Sequence, residues 1–140
     1  MTLTDLDKSN YLRGLIILVG IDKQNNENKR KIIKEVAKIL GFNQDFVENS
    51  LDEIYENKYI NKDPPKFSNQ VITEIFIRDG IGLASVNKVL HLHDIKWLLN
   101  TAVKNNLSEQ FFFIELEYFL EKFDYENPFV IKSNLKSFIN

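Results

Sequence analysis

The chain contains no cysteine. That excludes disulfides and thiolate metal sites, and it makes a reducing cytosol the natural compartment. It has no excess of either charge. Eighteen Lys and Arg stand against 20 Asp and Glu, a formal net charge of -2. Nucleic acid is therefore not expected as the main partner, because affinity there comes mostly from clustered Lys and Arg. Long apolar runs are missing as well. The longest, 15–21, is far too short to span a bilayer, so no membrane insertion is expected. The polar, acidic-leaning stretch 1–10 has no basic segment followed by an apolar one, so it does not read as a signal peptide. There is no glycine-rich phosphate loop, no Ser–His–Asp arrangement and no pair of carboxylates in an evident cleft. Neither an enzyme nor a bound cofactor is expected.

What the 140 residues do contain is a diverged copy of themselves. Slid along by about 65 positions, the N-terminal half lines up without a gap on the C-terminal half. Tyr11, Leu12 and Arg13 fall on Phe76, Ile77 and Arg78, and Ile16 and Leu18 fall on Ile81 and Leu83. Ala37 meets Ala102, and Phe46 meets Phe111. Gly41, Phe42 and Asn43 meet Asn106, Leu107 and Ser108. Identities are few. The chemical class agrees at most positions expected to be buried, and the turn residues agree in type.

The 44% apolar and 27% charged fractions are ordinary for a soluble globular chain. Helical spacing predicts six helices: Thr4 to about Asp22, then about 27–40 and 44–55, then Ser68 or Asn69 to about Asn87, about 92–105, and Ser108 to about Phe123. Asp5 and Asp7 would complement the dipole at the first N-terminus. Gly41 and Asn106 suit the left-handed position after a helix, and Asn43 and Ser108 suit N-caps. Phe46, Val47, Leu51 and Ile54 are the expected core stripe of the third helix. Leu92, Ile95, Leu98, Leu99 and Ala102 play that part in the fifth, and Phe112, Leu116, Phe119, Leu120 and Phe123 in the sixth. Gly80 and Gly82 weaken the fourth helix by about 1 kcal/mol each relative to Ala, so close packing is their expected reason. Pro64-Pro65 breaks the chain between halves. No Asn-Gly hairpin turn occurs.

The reading is all-α: a single-domain helical bundle of about six helices, built from two pseudo-repeated three-helix units. Repeat one is about 5–57, the linker 58–68, repeat two about 69–124 and the C-terminal tail 125–140. Each unit alone has too little core, so the two should pack face to face.

The repeated block reads LIILVGID at 15–22 with AKILGFN at 37–43, and IGLASVN at 81–87 with AVKNNLS at 102–108. This pattern resembles the TerB-like family, named for the tellurite-resistance protein TerB and also found in the helical domain of some co-chaperones. The resemblance covers about 11–123. It implies a cytosolic, non-enzymatic helical module acting through protein contacts, in stress response or tellurite resistance. In that family the turn usually reads Asp-Gly with a Glu about seven residues later, and the carboxylates can hold a divalent cation. Here Asp22 remains, but Lys23 replaces the glycine and Lys29 takes the Glu position. The second copy has Asn87-Lys88 and keeps Asp94. A divalent-metal-binding or sensing protein using Asp22, Asn87 and Asp94 is the alternative, since hard cations need several oxygen ligands. The J-domain His-Pro-Asp tripeptide is absent.

Several residues suggest contact chemistry. Phe111, Ile114 and Tyr118 form a second apolar stripe on the sixth helix, and two stripes imply two contact surfaces. Either the tail (Phe129, Ile131, Phe138) covers it, or a protein partner does, a second copy of the chain among the candidates. Trp97 is either core or the anchor of that partner surface, since interface hot spots favour Trp. Lys29, Arg30, Lys31 and Lys34 make a basic cluster, either a solvated face or a site for an acidic partner or phosphate. Arg13 and Arg78 recur at matched positions, each expected to pair with a carboxylate of the other half. His91 and Asp94, three apart on a helix, are expected as a surface pair or cap.

Overall fold

The computed structural model describes residues 3–21, 27–56, 60–86 and 90–122, and no strand occurs among them. The helices are α1 (Asp5–Ile21), α2 (Glu27–Leu40), α3 (Gln44–Glu56), α4 (Gln70–Ala84), α5 (Leu92–Lys104) and α6 (Glu109–Lys122). The chain is all-α, as the helical spacing indicates.

Capping sets the boundaries. Thr4 Oγ1 accepts the Asp7 N–H at 3.0 Å, opening α1. Asn43 Oδ1 accepts from the N–H groups of Asp45 and Phe46 at 2.8 and 3.2 Å, opening α3. Asn69 Oδ1 accepts from Ile72 N–H at 3.0 Å for α4, and Ser108 Oγ from Phe111 N–H at 3.0 Å for α6. Two helix ends share one geometry. After α2, Gly41 has φ 88°, and Phe42 N–H donates to Ala37 C=O at 2.9 Å. After α5, Asn106 has φ 65°, and Leu107 N–H donates to Ala102 C=O at 3.0 Å. Both are left-handed terminations that satisfy otherwise orphaned carbonyls. The fourth helix ends at Ala84 rather than near Asn87. Ser85 turns its hydroxyl back onto Ile81 C=O at 2.8 Å, and its own N–H goes to the same carbonyl at 3.1 Å.

Burial divides the helices into two kinds. From Tyr11 to Gly20 every residue of α1 except Arg13 is buried, and α4 is buried along most of its length. Helices apolar on all sides belong in the interior. Accordingly α1 and α4 pack on each other; α1 also meets α2, α3 and α5, while α4 meets α2, α5 and α6. The outer four helices bury one face each. Gly80 lets α4 approach α5: a Cβ there would sit 2.5 Å from Leu98 Cδ2. That close approach is the reason expected for this glycine. Three residues expected in the core are exposed instead: Phe46 at 54%, Leu92 at 61% and Leu120 at 46%. Phe46 lies one helical step, about 100°, from Val47. Leu92 lies on the side of α5 away from buried Asp94, Leu98 and Thr101, and Leu120 lies about 40° past Leu116, at the edge of the stripe that α6 buries. For α3 the buried stripe is Val47, Leu51 and Ile54; for α6 it is Phe112 and Leu116. Phe46 stacks on Phe42 with ring centroids 6.1 Å apart.

The connection at 61–68 is pinned residue by residue. Tandem prolines rule out helical hydrogen bonding, so the carbonyls must find donors elsewhere. Trp97 Nε1–H donates to Lys62 C=O at 2.9 Å, and Arg13 Nη1 to Asp63 C=O at 3.2 Å. Lys104 Nζ donates to Pro64 C=O at 2.7 Å, Asn105 Nδ2 to Pro65 C=O at 2.9 Å, and Asn10 Nδ2 to Lys66 C=O at 3.1 Å. Asn105 Oδ1 also accepts Phe67 N–H at 2.8 Å. Ser68 donates its N–H and its hydroxyl to the Asp7 carboxylate at 3.0 and 2.6 Å. The linker is thus a strap bound across α1 and α5. Beneath it Tyr11, Phe67, Phe76 and Trp97 make one aromatic cluster, with Tyr11 edge-on to Phe76 at 5.2 Å. The Tyr11 hydroxyl donates to Asp79, a carboxylate buried in α4.

Candidate functional site

The outer face of α6 carries the largest concentration of exposed apolar side chains among the described residues. Phe113, Ile114, Tyr118 and Leu120 are 48%, 57%, 55% and 46% exposed. Three phenylalanines in a row turn through about 200° of the helix and cannot share one face. Phe112 is therefore fully buried, Phe113 is exposed and Phe111 is half-buried against the core. Beside this face lies a groove of about 530 Å³ lined by Phe113, Leu116, Glu117, Leu120 and Glu121. Its charged rim is wholly acidic. Of the stripe read from the sequence, Ile114 and Tyr118 are exposed and Phe111, on the same side of the helix, is half-buried. Phe113 and Leu120 are a second exposed pair about 100–160° round the helix, with Glu117 and Glu121 between the two pairs.

Phe111 has its own occupation. The Arg78 guanidinium lies over its ring at 5.8 Å and pairs with Glu115 of α6 at 3.0 Å. The Glu115 hydrogen bond holds the Arg78 pKa above its ordinary value, against a smaller opposing effect of burial. Arg78 thus pairs within its own half, and Arg13 serves the strap carbonyl of Asp63. Neither makes the cross-half ion pair expected of it among the described residues.

Trp97 is not part of the α6 face. It is 8% exposed, packs on Phe76 at 6.2 Å and spends its indole N–H on the strap. The core reading fits this placement and the anchor reading does not. Amphipathic spacing left the two open because Trp97 stands at the edge of its stripe, where a partner and a strap look alike in sequence.

The basic cluster of α2 is likewise turned inward. Arg30 is 5% exposed, and its Nη2 donates to Glu48 at 2.5 Å and Asp52 at 2.8 Å, both on α3. Lys34 pairs with Glu48 as well. Burial disfavours the charged guanidinium, but the two carboxylates outweigh it and raise the Arg30 pKa. Hydrogen bonds from Lys34 and then Arg30 hold Glu48 below its ordinary value. The acidic partner of Arg30 and Lys34 is the chain's own α3. Lys29 is also buried, and Lys31 remains exposed.

Of the residual metal-turn residues, Asp22 and Asn87 lie outside the described residues. Asp94 is fully buried in the first turn of α5, not on the surface. His91 occupies the N-cap position through its backbone, without a side-chain cap bond. Among the described residues, no three His, Cys, Asp or Glu side chains gather as a metal set would. No helix of the described residues is long and apolar enough to cross a membrane. No protein-family model, curated protein or solved structure matches the chain significantly.

Proposed function

We propose that the protein is a non-enzymatic, cytosolic helical module of TerB-like organisation that binds another protein through the outer face of α6, with a role in stress or tellurite resistance. The observation that carries the contact reading is the run of four large apolar side chains about half exposed on α6, beside a groove rimmed by Glu117 and Glu121. Two exposed apolar pairs flanking Glu117 and Glu121 give a surface of mixed apolar and acidic character, the kind that interaction sites present. The complementary occupant is an amphipathic helix with Lys or Arg flanking its apolar face.

The TerB-like part of the reading rests on the paired terminations and on matched burial. Tyr11 and Phe76, Ile33 and Leu98, Ala37 and Ala102, Val47 and Phe112, and Leu51 and Leu116 are all buried at equivalent offsets. Such agreement supports two related three-helix units, with α1 and α4 as the facing pair. The metal alternative keeps its residues, Asp22, Asn87 and Asp94, and gains no further ligand among the described residues.

The test is an amide NMR titration with a synthetic amphipathic helix bearing Leu at helical spacing and Lys on its flanks. The expected shifts centre on 113–121 and disappear in the double variant Ile114→Glu, Leu120→Glu. Both substitutions are on the surface, so they should change stability by no more than about 0.5 kcal/mol each. Shifts scattered over the molecule, or unchanged in the double variant, contradict the proposal. The tail at 125–140 lies outside the described residues. A chain ending at 124 tests it as the rival occupant: large shifts at 113–121 on truncation alone would assign the groove to the tail.

A further inference from the structure

A second surface feature has chemistry of the opposite sign. Beside the strap is a cleft of about 660 Å³ lined by Asn10, Arg13, Ile60, Asn61, Asp63, Pro64, Lys66 and Lys104. Three cations and one carboxylate face this space, which leaves an excess of two positive charges. Among the described residues, none of these cations takes part in an ion pair. Arg30, Lys34 and Arg78, by contrast, have carboxylate partners.

Arg13 and Lys104 are nevertheless held in place. Their donors go to neutral oxygens, the carbonyls of Asp63 at 3.2 Å and Pro64 at 2.7 Å. A carbonyl orients a cation without cancelling its charge. Each group keeps further N–H bonds to give, since a guanidinium has five donors and an ammonium three. Asn61 adds to the bias: its amide oxygen is taken by Asp63 N–H at 2.8 Å, which leaves its NH₂ as the available end. Lys66 makes no side-chain hydrogen bond among the described residues, although its carbonyl is fixed by Asn10. The result is a donor-rich cleft in which two of the three positive groups, Arg13 and Lys104, are positioned before any ligand arrives. Ile60 and Pro64 supply an apolar wall beside them.

We propose that this cleft binds a small phosphate monoester, with Arg13, Lys66 and Lys104 holding the phosphate and Ile60 and Pro64 packing on the organic group. A phosphate monoester carries about -1.5 to -2 charge at neutral pH, which matches the excess of two cations. Arg and Lys together on one phosphate give short, charge-assisted hydrogen bonds. The cleft volume falls within the range of small-molecule sites, roughly 300–1,000 Å³. The strap is therefore more than a connector, because its carbonyls aim the cations.

Phenyl phosphate and inorganic phosphate are the probes, titrated into the full chain at constant ionic strength and followed by amide NMR. Shifts are expected at 10–13, 60–66 and 104, with phenyl phosphate the tighter of the two because it also meets the apolar wall. Lys66→Gln should weaken phenyl phosphate binding about tenfold, as loss of one charge-assisted contact implies. Its melting temperature should not change, because that side chain holds no part of the strap. Lys31→Gln, an exposed cation on α2, should leave binding unchanged. No saturable shift at about 10 mM of either probe, or equal weakening by Lys66→Gln and Lys31→Gln, overturns the proposal; the second result would mean attraction to charge in general.

Discussion

Asn105 should be among the most sensitive polar residues in the molecule. It is 6% exposed, and its amide spans both sides of a tertiary contact: Oδ1 accepts Phe67 N–H at 2.8 Å while Nδ2 donates to Pro65 C=O at 2.9 Å. Nδ2 also reaches Thr101 C=O at 2.9 Å, but that carbonyl keeps the Asn105 backbone N–H at 3.2 Å after truncation. Asn105→Ala therefore removes two bonds that nothing local replaces, at about 1 kcal/mol each. It also leaves the N–H of buried Phe67 without its acceptor, which adds about 1 kcal/mol or more. The sum is about 3 kcal/mol, or roughly 10 °C in melting temperature for a chain of this length. Lys104→Ala is the matched control. It removes the bond to the neighbouring carbonyl, Pro64, at an exposed position where water can substitute, so it should cost less than about 1 kcal/mol. Urea unfolding followed by Trp97 fluorescence reads both, since the one tryptophan is buried against the same strap. If the two variants lie within about 0.5 kcal/mol of each other, the strap is not held in the way described.

Two further outcomes follow from buried polar groups. Tyr11→Phe should destabilise by about 2 kcal/mol, because the lost hydroxyl donates to a buried carboxylate, Asp79; calorimetry of the purified variant decides it, and a neutral result would mean that bond contributes nothing. Asp7 should make the protein acid-sensitive. Burial disfavours its charge, but hydrogen bonds from Ser68 and Thr4 prevail and hold its pKa below the ordinary value. A carboxyl with a depressed folded pKa stabilises the fold above its unfolded pKa, about 3.9, and that contribution fades as pH falls through the folded value. The stability gap between wild type and Asp7→Asn should accordingly shrink from pH 7 to pH 3, and a gap that is constant across that range argues against the assignment.

Local chemistry was enough to read the helices and most of their ends and caps, the end of α4 at Ala84 excepted. Thr4, Gly41, Asn43, Asn69, Asn106 and Ser108 act within a few residues of themselves, through dihedral preference and short-range hydrogen bonds, so their roles are legible in one dimension. The two central helices were legible in part. The first carries an apolar run at 15–21 and the fourth two glycines, of which Gly80 marks a close approach, but nothing local places both helices in the interior or names Leu98 as the neighbour. Charge was the least legible property. Arg30 reads as solvated until α3 brings Glu48 and Asp52 to it, and Asp94 reads as a surface residue until α5 turns it inward.

The contact surfaces show the same division. Phe111, Phe112 and Phe113 announce that one helix must expose an aromatic, because 100° steps cannot hide all three. Which one emerges depends on how α6 is rotated against α4 and α5, and the answer left Phe113 exposed beside Leu120, on a different side from Ile114 and Tyr118. Trp97 and the strap lie further still from sequence logic, since an indole at the edge of a stripe meets a loop thirty-odd positions away through a single carbonyl. By itself the sequence determined the class, most of the helix limits and the near-neutral balance of charge, since these depend on neighbours along the chain. The tertiary structure decided which cations are neutralised and which are held with their charge intact, because that depends on whether a carboxylate or a carbonyl is brought within reach.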